Sequence, residues 1–144
     1  MTPEQDELLC KKYPKIFKDR GGSIKETCMA WGFECGPGWF SIIDALCSTA
    51  QNHIDWKIKN IQDPQEAEDL QIVASQVKEK FGGLRFYYCG GDDVIDGIVR
   101  MAEAMSEKTC EMCGSSGVQR DDGWIVTMCD PCYREREEKR KGLK

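Results

Sequence analysis

Histidine is almost missing from these 144 residues; His53 is the single one. No acidic residue lies at helical spacing on its own face, and Cys47 falls on a different side of the same segment. A histidine so placed is expected to pack or to face solvent. Its scarcity removes the base on which acid–base and nucleophilic mechanisms commonly depend. Long apolar runs are missing too. No stretch reaches about 18 apolar residues, so no membrane-spanning helix is expected. The opening MTPEQDELLC is acidic where a secretory leader is basic and then apolar, which predicts a cytoplasmic protein. Excess positive charge is lacking as well: the formal net charge is −5, which disfavours indiscriminate coating of nucleic acid. There is no internal repeat and no low-complexity tract.

What is present suits one compact domain with a small appendage. A chain of this length buries about 68 to 70% of its unfolded surface, and 40% of its residues are hydrophobic. Nine cysteines would suit a disulfide scaffold, but the number is odd and the chain long for a stapled mini-protein. Four of them have a better explanation, and the other five read as reduced thiols.

Those four are Cys110, Cys113, Cys129 and Cys132, two Cys-x2-Cys pairs separated by fifteen residues. Two facing pairs supply the tetrahedral thiolate set that zinc prefers, and four protein ligands leave no open position for substrate or water. The expectation is one structural Zn2+ in a zinc ribbon over 109–133. Gly114 and Pro131 are read as residues that turn the backbone around the metal. Val118 to Arg120 and Trp124 to Met128 alternate as strands, with Asp122-Gly123 between them. Redox-active pairs are the competing reading, but thioredoxin-type pairs come singly and open a helix.

Residues 1–108 read as an α+β body, a small helical domain with a β-hairpin. Thr2, Pro3 and Gln5 form a capped helix start, and Pro14 stops that helix, giving about 3–13. CGPGW at 35–39 is rich in turn formers and leads into a helix over about 39–60, with Trp39, Ile42, Ile43, Leu46, Ala50, His53, Ile54 and Ile61 on one face. Asp63, Pro64 and Glu66 mark a second capped start, with a short helix or turn to Asp69. The period then changes to that of a hairpin over about 71–89. Ile72 and Ala74 alternate against Val73, Ser75 and Val77, and Leu84, Phe86 and Tyr88 against Arg85 and Tyr87, with Phe81, Gly82 and Gly83 at the turn. Asp92 or Asp93 caps a helix over 93–107 whose inner face is expected to hold Ile95, Ile98, Met101, Ala102 and Met105. Residues 134–144 are a charged helix or tail; Glu135 precedes Lys139 by four positions, and Glu137 precedes Lys141 by four.

Weaker constellations carry an ordinary reading beside a functional one. FGGLRFYYCGG at 81–91 combines two glycine pairs, an arginine and four aromatics. Arg85 can grip phosphate or carboxylate, Tyr87 on the same face can stack on a ring, and Gly82, Gly83, Gly90 and Gly91 let a ligand approach the backbone. The ordinary reading is a glycine-turn hairpin with a core of Leu84, Phe86 and Tyr88. Cys28, Cys35 and His53 are a marginal second metal set without a fourth ligand. Cys10, Cys47 and Cys89 sit in apolar-patterned segments, where cysteine behaves as a small hydrophobe. The basic tail is offset by a ribbon with one basic and four acidic side chains, so nucleic-acid binding is disfavoured.

Taken together, GWFSIIDALC at 38–47, QVKEKFGGLRFYY at 76–88, and TCEMCG with GWIVTMCDPC at 109–132 resemble a group of small zinc-ribbon proteins of tailed bacteriophages and bacteria. The resemblance spans most of the chain and implies a phage or prophage setting in a bacterial cytoplasm. It brings no activity and no site residues. With no catalytic set in view, the expected function is non-enzymatic. The protein would bind a host protein, such as a defence component, and inhibit or redirect it. Binding a small anionic ligand such as a signalling nucleotide is the alternative, and a nucleic-acid-binding ribbon comes third.

Overall fold

A computed structural model describes residues 1–142 and shows a mixed α+β protein with five α-helices and two small sheets. Helix α1 (Pro3–Lys12) starts at a capping box: the Thr2 hydroxyl accepts the Gln5 N–H at 3.2 Å, and Gln5 Oε1 accepts the Thr2 N–H at 3.1 Å. It ends before Pro14, and the Tyr13 hydroxyl donates 2.7 Å to Asp44 Oδ1 on α2 (Phe40–Ile58). Trp39 precedes α2 in a separate 3-10 turn, Pro37–Trp39, where the glycines and proline of CGPGW have done their work. Helix α3 (Pro64–Leu70) is capped by Asp63, whose side chain accepts the Gln65 N–H.

The main sheet has the order β1-β2-β3. Strand β1 (Phe33–Glu34) runs parallel to β2 (Val73–Lys80), and β3 (Gly83–Cys89) returns antiparallel to β2. The two-residue β1 has too short a pattern to be read from sequence. The alternation expected along β2 is broken: the register shifts between Ala74 and Gln76, so Val77 lies opposite Phe86 and is buried with Ala74 rather than facing out with Val73. One extra residue in a strand reverses the phase beyond it, and Ser75 supplies that residue. On β3, Leu84 and Phe86 are buried, Tyr88 is half-buried and Tyr87 faces out.

Helix α4 (Asp93–Ser106) is rotated from the expected orientation. Its buried stripe is Ile95, Val99, Ala102 and Ser106; Met101 and Met105 are exposed and Ile98 half-buried. A polar contact fixes that rotation. Ser106 Oγ accepts the Leu84 N–H at 2.8 Å, and Glu103 Oε1 accepts the Phe86 N–H at 3.0 Å, so α4 caps the otherwise open edge of β3. A reading based on apolar residues alone had no reason to put a serine inside.

Strands β4 (Val118–Asp121) and β5 (Ile125–Met128) form the second sheet, antiparallel. Trp124 lies in the turn rather than in the strand. Helix α5 (Asp130–Gly142) begins inside the second cysteine pair, so Pro131 sits in its first turn, a favoured helical position, and not in a bend around the metal. The Glu135–Lys139 pair forms at 2.7 Å, while Glu137 pairs with Arg140 at 2.8 Å. The charged helix or tail expected over 134–144 extends to Leu143 and Lys144, which lie outside the described residues. A large hydrophobic cluster spans α1, α2, α4 and the inner face of the main sheet. A second, small one gathers Cys110, Val126 and Met128 with Cys129, Cys132 and Tyr133. No helix is long and apolar enough to cross a membrane, as far as the described residues go.

Candidate metal centre and binding face

The four expected cysteines converge. Their sulfur atoms all lie within 4.8 Å of one another, and Cys113 Sγ stands 3.6 Å from Cys129 Sγ. A tetrahedral ion with metal–sulfur bonds of about 2.3 Å has sulfur–sulfur edges of about 3.8 Å, so the cluster is sized to hold a metal ion. Cys110 is buried and Cys113 exposed. Hydrogen bonds from the Ser115 hydroxyl and N–H pull the Cys113 thiol down to about 6. Those hydrogen bonds favour its thiolate form. The turn carrying the first pair is closed by Gly114 N–H to Cys110 C=O at 2.9 Å and Cys110 N–H to Ser115 C=O at 2.7 Å. Around the second pair, Arg120 bonds the Met128 carbonyl and Asp130, and it lies 4.6 Å from the centre of the Tyr133 ring. Asp122 accepts from Tyr133 at 3.0 Å and from Arg140 at 2.7 Å, fastening α5 to the β4–β5 turn.

The cysteine module is bound to the body at two places the sequence did not reveal. At the first, the Gly38 N–H donates 2.7 Å to the Glu111 carbonyl, the Gly36 N–H donates 2.8 Å to the Glu111 carboxylate, and Trp39 Nε1 donates 2.9 Å to the Thr109 carbonyl. A Cβ on Gly38 would come within 2.5 Å of the Gly114 nitrogen, so glycine is required by close backbone approach. Burial raises the Glu111 carboxyl above its ordinary range, against the Gly36 N–H that lowers it. At the second, Thr127 reaches the Gly82 carbonyl. The only advance signal was the Gly-Pro-Gly of CGPGW, which reads equally well as a loop.

Arg85 and Tyr87 share the outer face of the main sheet with Lys78, the register partner of Arg85. The Lys78 ammonium lies 5.7 Å from the Tyr87 ring centre, and Arg85 Nη1 donates to the Leu84 carbonyl at 2.8 Å. Among the described residues, Lys78, Lys80 and Arg85 form no ion pair within 4.0 Å. The glycines around this face are engaged in packing. Gly82 abuts Ile125 and Thr127, Gly83 lies beside Arg85 and Glu107, Gly90 sits against the Gln71 carbonyl, and Gly91 against Ile72 and Ile95.

Cys28, Cys35 and His53 are not brought together as a metal-binding group; among the described residues the one such group is the four-cysteine cluster. Cys28 is exposed, and the buried Cys35 thiol is pushed up to about 12 by its burial. Cys47 is buried and its thiol raised by burial; Cys10 is half-buried and raised to about 11 by burial and the nearby Asp6; Cys89 is exposed at the strand end. His53 Nε2 is 2.9 Å from Asp92 Oδ2, an acidic neighbour contributed by another element and so invisible to spacing along α2. Lys57 donates to the same oxygen at 2.8 Å, while Asp92 Oδ1 caps α4 through the Ile95 N–H. Comparison with protein-family models, curated protein sequences and solved structures finds no match.

Proposed function

We propose that this is a non-catalytic, zinc-stabilised binding protein that takes an anionic ligand on the outer face of its main sheet. One observation carries the reading. Lys78, Lys80 and Arg85 stand together, free of carboxylate partners among the described residues, beside Tyr87, in a chain whose net charge is −5. Unpaired cations next to an aromatic suit a charged ring better than they suit a merely solvated strand. The metal's part is structural. Cys110, Cys113, Cys129 and Cys132 would hold one Zn2+ as four thiolates, a soft set that favours zinc over calcium or magnesium and leaves no position for reacting groups. Its effect is to hold the first cysteine turn against Gly36–Gly38 and β5 against Gly82. His53, engaged with Asp92 at a helix cap, fits the non-catalytic reading.

The phage setting implied by the sequence resemblance is consistent with a ligand drawn from the host cytoplasm. A second reading, binding and inhibition of a host protein, is favoured by a different observation. Ala45, Ile98, Met101 and Met105 line an apolar groove between α2 and α4, with Met101 67% exposed. Native mass spectrometry of protein purified from the phage-infected host decides between them. A retained small-molecule mass, lost in an Arg85→Ala, Tyr87→Ala variant, supports the first; a retained host polypeptide and no small molecule supports the second.

A further inference from the structure

Phe81 is the only non-glycine residue with positive φ among the described residues, at 53°, and it is 65% exposed. With Gly82 at φ 77° it forms the two-residue turn between β2 and β3. Turns with both central φ values positive favour asparagine, aspartate or glycine at the first position, and a bulky residue there is strained. The sequence therefore accepts both strain and exposure for a phenylalanine that contributes little to the core. Such an outlier points to contact with something outside the chain.

Across from it, Trp124 projects from the β4–β5 turn, also 65% exposed. The two aromatics line one cleft of about 560 Å³, together with Lys78, Lys80, Glu79, Asp121 and Ile125. That volume lies inside the range of about 300 to 1,000 Å³ common for small-molecule sites. Each of the cleft's two carboxylates accepts a backbone N–H, Glu79 that of Gly82 at 2.8 Å and Asp121 that of Gly123 at 3.3 Å, and neither pairs with a lysine of the cleft. Lys80 lies 5.5 Å from the Phe81 ring centre, and neither lysine has a carboxylate partner among the described residues. Flat aromatic walls with free ammonium groups at the rim match a nucleobase carrying a phosphate.

We infer that this cleft binds a nucleoside monophosphate, its base against Phe81 and Trp124 and its phosphate on Lys78 and Lys80. The inference rests on the reading of the sheet face as an anion site and extends that face through Lys78, the residue common to both. A free nucleotide fits better than a nucleic-acid strand, because a chain of net charge −5 repels an extended polyanion.

The test titrates AMP, GMP, CMP and UMP, one at a time, into zinc-loaded wild-type protein by calorimetry, with adenosine, inorganic phosphate and an eight-residue oligothymidylate as further probes. Expected is saturable binding of at least one monophosphate, with adenosine and phosphate alone each weaker by about tenfold or more. Phe81→Asn should weaken that binding by about tenfold or more through loss of a stacking surface. It should leave the melting temperature unchanged or raised, because asparagine suits the turn. No binding of any monophosphate, or tighter binding of the oligothymidylate, overturns the inference. So does Phe81→Asn lowering the melting temperature while leaving affinity intact, which is the signature of a structural phenylalanine. Affinity lost in Arg85→Ala, Tyr87→Ala but kept in Phe81→Asn retains the sheet face and overturns the cleft; the converse retains the cleft and overturns the sheet face.

Discussion

The Thr127 hydroxyl donates a 2.5 Å hydrogen bond to the Gly82 carbonyl, joining β5 of the cysteine module to the turn of the main hairpin in a buried contact. Thr127→Val keeps the shape and removes the donor, leaving a buried carbonyl unpaired. The expected loss is about 1 to 3 kcal/mol, measured by denaturant unfolding of zinc-loaded protein, with Thr127→Ser close to wild type. Equal stability of the valine variant would mean that water replaces the hydroxyl and that the contact does not fasten the module.

Elemental analysis should return one zinc per chain, and Cys110→Ser, which removes the buried ligand, should abolish tight binding. Zinc-module sites gain about 10 to 16 kcal/mol of apparent binding energy at neutral pH. Chelation is therefore expected to expose amides over 109–133 to hydrogen exchange while α2 and β2 stay protected, because the larger hydrophobic cluster contains none of the four ligands. Cadmium, which also accepts four thiolates, should restore protection and ligand binding together. Restored protection without binding would assign the metal a chemical part.

Acid should act partly through Asp92. Burial works to raise its carboxyl, but hydrogen bonds from His53, Lys57 and the Ile95 N–H outweigh burial and hold it well below the ordinary carboxylate range. The sign follows from proton uptake: below about pH 4 the unfolded chain binds a proton at Asp92 that the folded protein resists. Its stabilisation is present above that pH and lost as the pH falls further. Between about pH 5 and pH 3 the Asp92→Asn variant should lose less stability than wild type. Parallel curves, both measured at the same zinc loading, would show that Asp92 does not carry the acid response.

Elements set by local chemistry were legible in the sequence, and those set by distant contacts were not. The Thr2–Gln5 capping box, the Asp63 and Asp92 caps, the glycine turn and the converging cysteine pairs each depend on a few neighbouring residues. The rotation of α4 depends on Ser106 meeting a backbone N–H on β3, and the outward turn of Val73 against the inward turn of Val77 depends on a bulge at Ser75. Neither has a marker in hydrophobic periodicity, which assumes an unbroken period and an apolar inner face. The same limit hid Asp92 from His53, 39 residues apart in sequence. At the candidate binding face, Arg85 and Tyr87 followed from strand alternation, whereas the pairing of Phe81 with Trp124 in one cleft required two hairpins to dock.

Gly38 gives the sharpest check on that docking, since it is no metal ligand and lies far from the cysteine pairs in sequence. Its N–H donates to the Glu111 carbonyl inside the first Cys-x2-Cys turn, and any Cβ would run into the Cys110 carbonyl and the Gly114 nitrogen. These atoms are backbone, held by the hydrogen bonds that close the turn, and cannot move aside as a flexible side chain could. Gly38→Ala must therefore push the turn off the body or distort it, displacing Cys110 and Cys113 from their partners. Loss of outer support around a metal site costs about 10- to 100-fold in affinity, and that reduction is expected in competition against a zinc-binding dye. Gly21→Ala is the matched control, because a Cβ there meets nothing within 4 Å, and it should leave zinc affinity unchanged. If Gly38→Ala keeps full affinity while lowering only the unfolding midpoint, the cysteine module binds its metal independently of the body and the two are merely adjacent.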